Sequence, residues 1–133
     1  MNILLFLTPK KDVAHLYDDY TIRQALEKME YHRYSAIPII DRNGHYIGTL
    51  TEGDILWYIK NNHLLSLEES EQDSILSIPR YHDNKAVSAS SDLEDIFKTA
   101  LNQNFIPVID DQGIFIGIIT RRNIFNYLQK KNN

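Results

Sequence analysis

An α+β fold made of two copies of one βαββα unit is predicted by three observations: a repeat at constant offset, a turn of fixed chemistry inside each copy, and a capped helix after it. Residues 36–59 read AIPIIDRNGHYIGTLTEGDILWYI and residues 105–128 read FIPVIDDQGIFIGIITRRNIFNYL. The offset is 69 throughout, and 10 of the 24 positions are identical, among them Pro38/Pro107, Asp41/Asp110, Gly44/Gly113, Gly48/Gly117 and Thr51/Thr120. Agreement of that extent at one offset marks a duplication, and a long-period repeat decides the architecture before any single element does.

Each unit opens with a short apolar strand, Val13–Ala14 in the first copy and Ala86–Val87 in the second. An amphipathic helix follows. From Thr21 the spacing puts Ile22, Ala25, Leu26 and Met29 on one stripe; from Ser91 it does the same for Leu93, Ile96, Phe97 and Ala100. Thr21 and Ser91 are the expected N-caps, their side-chain oxygens accepting from the first free N–H groups. Acidic residues crowd the first turn of the second helix, where the helix dipole favours them. The strands Ile37–Ile40 and Ile106–Ile109 come next, then the turns DRNG and DDQG, whose Asp and Gly suit a hairpin. Tyr46–Leu50 and Phe115–Ile119 return, and Thr51 and Thr120 cap closing helices. Strands this continuously apolar are covered on both faces. The polar stretch LSLEESEQDS (65–74) is expected as a solvated connector with one helical turn. The expected boundaries are therefore 8–62 and 78–130, with 63–77 between them.

Composition narrows the function. A chain of 133 residues with net charge −4 and no basic stripe gives nucleic-acid binding little support. The absence of cysteine excludes disulfides and thiolate metal sites and suits a reducing compartment. The apolar run Ile3–Leu7 is too short for a membrane span or a signal sequence, so a complete cytoplasmic protein is expected. Five histidines lie scattered without metal-ligand spacing. Ser35 has no nucleophile elbow around it, and neither Walker glycines nor a dinucleotide fingerprint is present. The expectation is a protein without catalytic activity, metal or cofactor. Trp57, Tyr58 and Phe125 on the closing helices are expected to pack the core or a face between two copies.

The duplicated pattern of a Pro-containing strand, an Asp–Gly turn and a closing Thr-x-x-Asp motif resembles a CBS domain pair. The resemblance runs over about residues 8–130. Shorter pieces, VAH (13–15), YSAIP (34–38), IPR (78–80) and TRR (120–122), resemble the small stand-alone cyclic-di-AMP-binding CBS proteins of Gram-positive bacteria. The resemblance implies one module of pseudo-two-fold symmetry with two clefts for adenosine-containing ligands, a homodimer, and a sensor that acts on a regulated protein.

It also implies the composition of each cleft. The first would take Val13, Ala14, Ser35 and Ala36 with Thr120, Arg121, Arg122 and Asn123. The second would take Ala86, Val87, Asn104 and Phe105 with Thr51, Glu52 and Asp54. In relatives that bind AMP or ATP the motif Asp accepts from the ribose hydroxyls, as a carboxylate with two acceptor oxygens can. The second cleft keeps that residue as Asp54. Against it stand Phe105 where the first copy has Ala36, Glu52 facing a phosphate, and a shorter approach to the strand: 13 steps from Ala25 to Pro38, but 11 from Ile96 to Pro107. The first cleft has small walls for a purine, Asn123 in place of the carboxylate, and two guanidinium groups. A 3′,5′-cyclic dinucleotide has no free vicinal diol but carries two phosphates, which suit arginine and a helix N-terminus. Three readings stay open on these residues: a cyclic di-AMP sensor, an AMP, ADP or ATP sensor using Asp54, and an interaction module with empty clefts. Arginines in a first helical turn are in general simply solvated, which is the plain reading of Arg121 and Arg122.

Overall fold

In a computed structural model, which describes residues 2–131, the first half runs β1 (Thr8–Pro9), β2 (Leu16–Tyr17), α1 (Ile22–His32), β3 (Ala36–Ile40), β4 (Tyr46–Thr51), α2 (Glu52–His63) and α3 (Leu67–Ser70). The second half runs β5 (Val87–Ser88), α4 (Leu93–Ala100), β6 (Phe105–Ile109), β7 (Phe115–Thr120) and α5 (Arg121–Lys131). The chain divides into two units. One holds the residues up to Val13, Gly44–Tyr46 and the chain from Asn84; the other holds Ala14–Asn43 and Ile47–Asp83. The units therefore cut across the sequence repeats: the amino-terminal segment joins the second copy, and the connector joins the first.

The unit containing Ala14–Asn43 carries a sheet of order β2-β3-β4. Its core is Leu16, Ile22, Ala25, Met29, Ile37, Ile39, Leu50, Ile55, Ile75 and neighbours, with Tyr58 packed against it. The helix stripe expected from the spacing is the buried one, with Leu26 partly buried. A capping box starts α1: Thr21 Oγ1 accepts from Gln24 N, and the Gln24 side chain accepts from Thr21 N. Such a cap is worth about 1 kcal/mol. The connector is not merely solvated. Asp73 and Glu71 carbonyls accept from Ile22 N and Arg23 N, and Ile75 N donates to Tyr20 O, so the stretch closes the start of α1. Ile75 and Ile78 are buried behind it.

The other unit carries a sheet of order β1-β7-β6-β5. Its core is Ile3, Phe6, Val87, Ile96, Ile106, Val108, Ile119 and Ile124. Strand β1 closes the sheet edge antiparallel to β7, with Thr8 opposite Ile118 and Pro9 opposite Gly117. A Cβ at Gly117 would collide with the Thr8 carbonyl, so only glycine lets this edge strand dock.

Three local expectations need correction. The short leading strands are Leu16–Tyr17 and Val87–Ser88, not Val13–Ala14 and Ala86–Val87. The parallel ladder decides this: Leu16 and Tyr17 pair with Ile39 and Ile40, Val87 and Ser88 with Val108 and Ile109. Val13 instead ends a turn, its N–H donating to Lys10 O. The cap of α4 is Asp92, whose side chain accepts from Asp95 N, while Ser91 N donates to Ser88 O in the preceding turn. Phe97 lies on the rim of its helix stripe and is 38% exposed.

Candidate functional site

The closing motif of the first copy is built by helix capping. Thr51 has extended backbone and its hydroxyl accepts from Asp54 N at 3.1 Å, while Asp54 Oδ2 accepts from Thr51 N at 3.1 Å. The motif carboxylate is thus the far half of a capping box. Its other oxygen, Oδ1, accepts from Tyr81 N at 3.1 Å, and Asp54 is buried. Beside it Ser35 O accepts from Glu52 N, which fixes the start of β3 against the start of α2. Ala14 is buried, Ala36 half-buried, and Ser35 and Glu52 exposed.

The second copy repeats the cap with different side-chain partners. Thr120 Oγ1 accepts from Asn123 N at 3.1 Å. The Asn123 amide then donates to Phe6 O and to Thr8 Oγ1, both at 2.9 Å, and ties the amino-terminal segment to α5. Arg121 Nε donates to Ala100 O at 2.8 Å and Nη2 to Leu101 O at 3.5 Å, so its guanidinium caps the carbonyl end of α4. Arg122 is exposed, and among the described residues its side chain makes no hydrogen bond or ion pair. The two arginines, equal in the sequence, are therefore distinct: one is spent on the fold and one is presented to solvent.

Phe105 stands directly opposite Thr120 in the hairpin and is buried. Its carbonyl accepts from Asn84 Nδ2 and Gln103 Nε2, and its N–H donates to the Asn104 side chain. Val13 and Val87 are buried and Ala86 half-buried.

The exchange of Asp54 for Asn123 gains a second explanation from these contacts. The segment beside Asp54 presents an N–H, from Tyr81, which asks for an acceptor. The segment beside Asn123 presents a carbonyl, from Phe6, which asks for a donor. Packing alone therefore suffices to require the exchange, with or without a ligand phosphate.

Two clusters went unread in the sequence. Arg80 and Asp83 pair at 2.7 Å, and Asp83 Oδ1 also accepts from Thr49 N at 2.9 Å. The i,i+3 spacing in PRYHD was the available signal. The other cluster joins Tyr58, His63 and Asp73: Tyr58 Oη donates to Asp73 Oδ2 at 2.6 Å, and His63 Nε2 lies 2.7 Å from the same oxygen. The Tyr58 and His63 bonds hold the Asp73 carboxyl below its ordinary pKa, and the same Asp73 bond, with burial, pushes the Tyr58 hydroxyl up. Among the described residues no group of three or more metal-binding side chains gathers, and no helix is long and apolar enough to cross a membrane.

Two hairpins, each running from a leading parallel strand and a helix into a Thr-capped closing helix, define the class: a duplicated βαββα module. The family model for the CBS domain matches residues 6–61 and 81–130, and the chain belongs to the CBS domain family. It is 26% identical over 130 residues to cyclic di-AMP receptor B of Bacillus subtilis, covering 94% of this chain and 84% of that protein. A crystal structure of CbpB in complex with c-di-AMP superposes with TM-score 0.87 at 26% identity, over 98% of this chain and 85% of that one. CBSX2 in complex with AMP superposes with TM-score 0.75 at 25% identity, over 96% of both. Other curated relatives are longer: the chain spans 49% of an uncharacterized Methanocaldococcus jannaschii protein and 21% of that organism's inosine-5'-monophosphate dehydrogenase.

Proposed function

We propose that this chain is a cytoplasmic regulatory protein that binds cyclic di-AMP and alters its contact with a regulated protein accordingly. Val13, Ala14, Ser35 and Ala36 serve the base, and Thr120 and Arg122 serve the phosphate, with Arg121 and Asn123 holding the neighbouring backbone. The observation that carries this reading is Arg122, an exposed guanidinium in the first turn of α5 at the repeat position where the first copy has Gly53. Free N–H groups and the helix dipole favour an anion at that turn, and arginine suits phosphate oxygens. The relation to cyclic di-AMP receptor B supports the choice of ligand.

Calorimetry with cyclic di-AMP on wild type, Arg121→Ala, Arg122→Ala and Ala36→Phe tests it. Arg122→Ala is expected to weaken binding about ten- to a hundredfold, the loss of one charge-assisted hydrogen bond or two. Ala36→Phe is expected to block the base. Arg121→Ala is expected to act mainly on stability, through the carbonyls of Ala100 and Leu101. Wild-type binding that survives both Arg122→Ala and Ala36→Phe unchanged would sink the assignment.

A second reading rests on Asp54. The first copy retains the carboxylate that a ribose diol needs, and CBSX2 carries AMP. In that reading AMP, ADP or ATP binds through Thr51 and Asp54 with Ala86, Val87, Asn104 and Phe105.

A further inference from the structure

The carboxylate of Asp54 is already partnered and covered. Thr51 N occupies Oδ2, Tyr81 N occupies Oδ1, and the residue is 7% exposed. Tyr81 belongs to a strap, Pro79–Asp83, laid over the end of β4. Its far end is pinned where Asp83 Oδ1 accepts from both Thr49 N and Arg80 Nε. Gly48 makes room for this clasp: a Cβ there would fall on the Asp83 carboxylate and the Arg80 guanidinium.

We infer that this strap is an internal occupant of the Asp54 motif, and that a ribonucleoside diol reaches the carboxylate only when the strap lets go. The inference rests on the chain's being an adenine-nucleotide-binding protein, but not on cyclic di-AMP as its ligand. The strap's backbone stands against the oxygen to which one hydroxyl of a vicinal diol would donate. A carboxylate oxygen can accept a second donor, but the Tyr81 backbone lies against Oδ1 and Asp54 is buried, so a hydroxyl has no open approach while the strap is closed, and binding at Asp54 and strap closure oppose each other.

The strap is built to release. Its middle has no apolar anchor: the Tyr81 ring is 91% exposed, and Pro79, His82 and Asp83 are exposed too. Among the described residues it is held to the rest of its unit by two backbone N–H bonds to carboxylates, and its ion pair, Arg80–Asp83, is partly exposed and internal to the strap. Segments with few buried apolar contacts open at low free energy. The anchor upstream is different, since Ile75 and Ile78 are buried; release is confined to the residues after Ile78. The strap thus lowers the apparent affinity for a mononucleotide by the fraction of time it stays closed.

Two measurements test this on the full chain. The first is AMP titration by calorimetry of wild type, Gly48→Ala and Asp83→Ala, with cyclic di-AMP titrated in parallel. Both variants are expected to bind AMP at least about fivefold tighter than wild type, because opening removes the competitor. The second needs no variant: amide hydrogen exchange at Tyr81 and Thr49, expected to be slow without nucleotide and faster at saturating AMP. Variants that bind AMP no tighter than wild type overturn the inference, as does bound AMP with the Tyr81 amide still protected. Cyclic di-AMP affinity is expected to stay the same in both variants. Failure of cyclic di-AMP to bind any form overturns the proposed function and leaves the strap result to be read from AMP alone.

Discussion

At position 54 and at position 123, 69 residues later, the repeat places an acid and its amide, and each is matched to one neighbouring segment. Asn123→Asp would set a carboxylate against the Phe6 carbonyl and remove both amide donors. Loss of a half-buried pair of hydrogen bonds, with an acceptor left facing an acceptor, is expected to cost about 1–3 kcal/mol in urea unfolding. It should also free the amino-terminal residues, which limited proteolysis would report as faster cleavage before Val13. Both positions stood out in the sequence because they broke the repeat. Their partners could not be read there, since Phe6 and Asn123 are 117 positions apart and no local pattern links them. The same limit hid the difference between Arg121 and Arg122. Adjacent identical residues differ only in where the α4 carbonyls lie.

Among the elements, hairpins and long helices were legible because they have a period. Alternation, an Asp–Gly turn and a capping Thr specify them within a residue or so. The two-residue strands β2 and β5 have no period of their own; ladder register with β3 and β6 sets them, and register is a tertiary fact. The connector is the case where polarity misled. It reads as solvent-facing, yet its Asp73 joins α2 through Tyr58 and His63 while its backbone closes α1. Because the Tyr58 and His63 bonds depress the folded pKa of Asp73, the stabilisation from this carboxylate is present above its unfolded pKa. It is lost as pH falls through the lower folded value. Tyr58→Phe is therefore expected to be less stable than wild type at neutral pH, with the difference narrowing below about pH 4 as Asp73 protonates. Thermal unfolding across that range would show a gap that does not narrow if the pair is unimportant.

For the molecule as a whole, the helices leave more apolar surface than a separate chain should expose. On α2, Leu56 and Trp57 are 50% and 56% exposed; on α5, Phe125 is 67% exposed. Phe97, Leu101, Phe125 and Leu128 line a groove of about 570 Å³ between α4 and α5. Trp57 and Phe125 are thus absent from the core, which leaves a face between copies as the expectation for them. A two-fold pairing of identical faces is the commonest way to cover such a surface. Sedimentation of wild type is expected to give a dimer and Phe125→Glu a monomer, both folded by circular dichroism. A wild type that sediments as a monomer at tens of micromolar, roughly where most dimers are assembled, would count against this.

The docking of β1 on β7 has a consequence for synthesis. A ribosome makes Thr8 and Pro9 more than a hundred residues before their partners Ile118 and Gly117 exist. The unit built from Ala14–Asn43 and Ile47–Asp83 has its strands and helices in hand by Asp83, before β5, the first strand of the second copy, is made. The amino-terminal strand has to wait. Until α5 emerges, neither Asn123 nor the bed of β7 is there to hold Phe6, and an apolar segment, Ile3–Leu7, stays open to other partners. Pairing of strands so far apart in sequence is expected to come late, and until it does the edge of β7 is open to a strand from another copy.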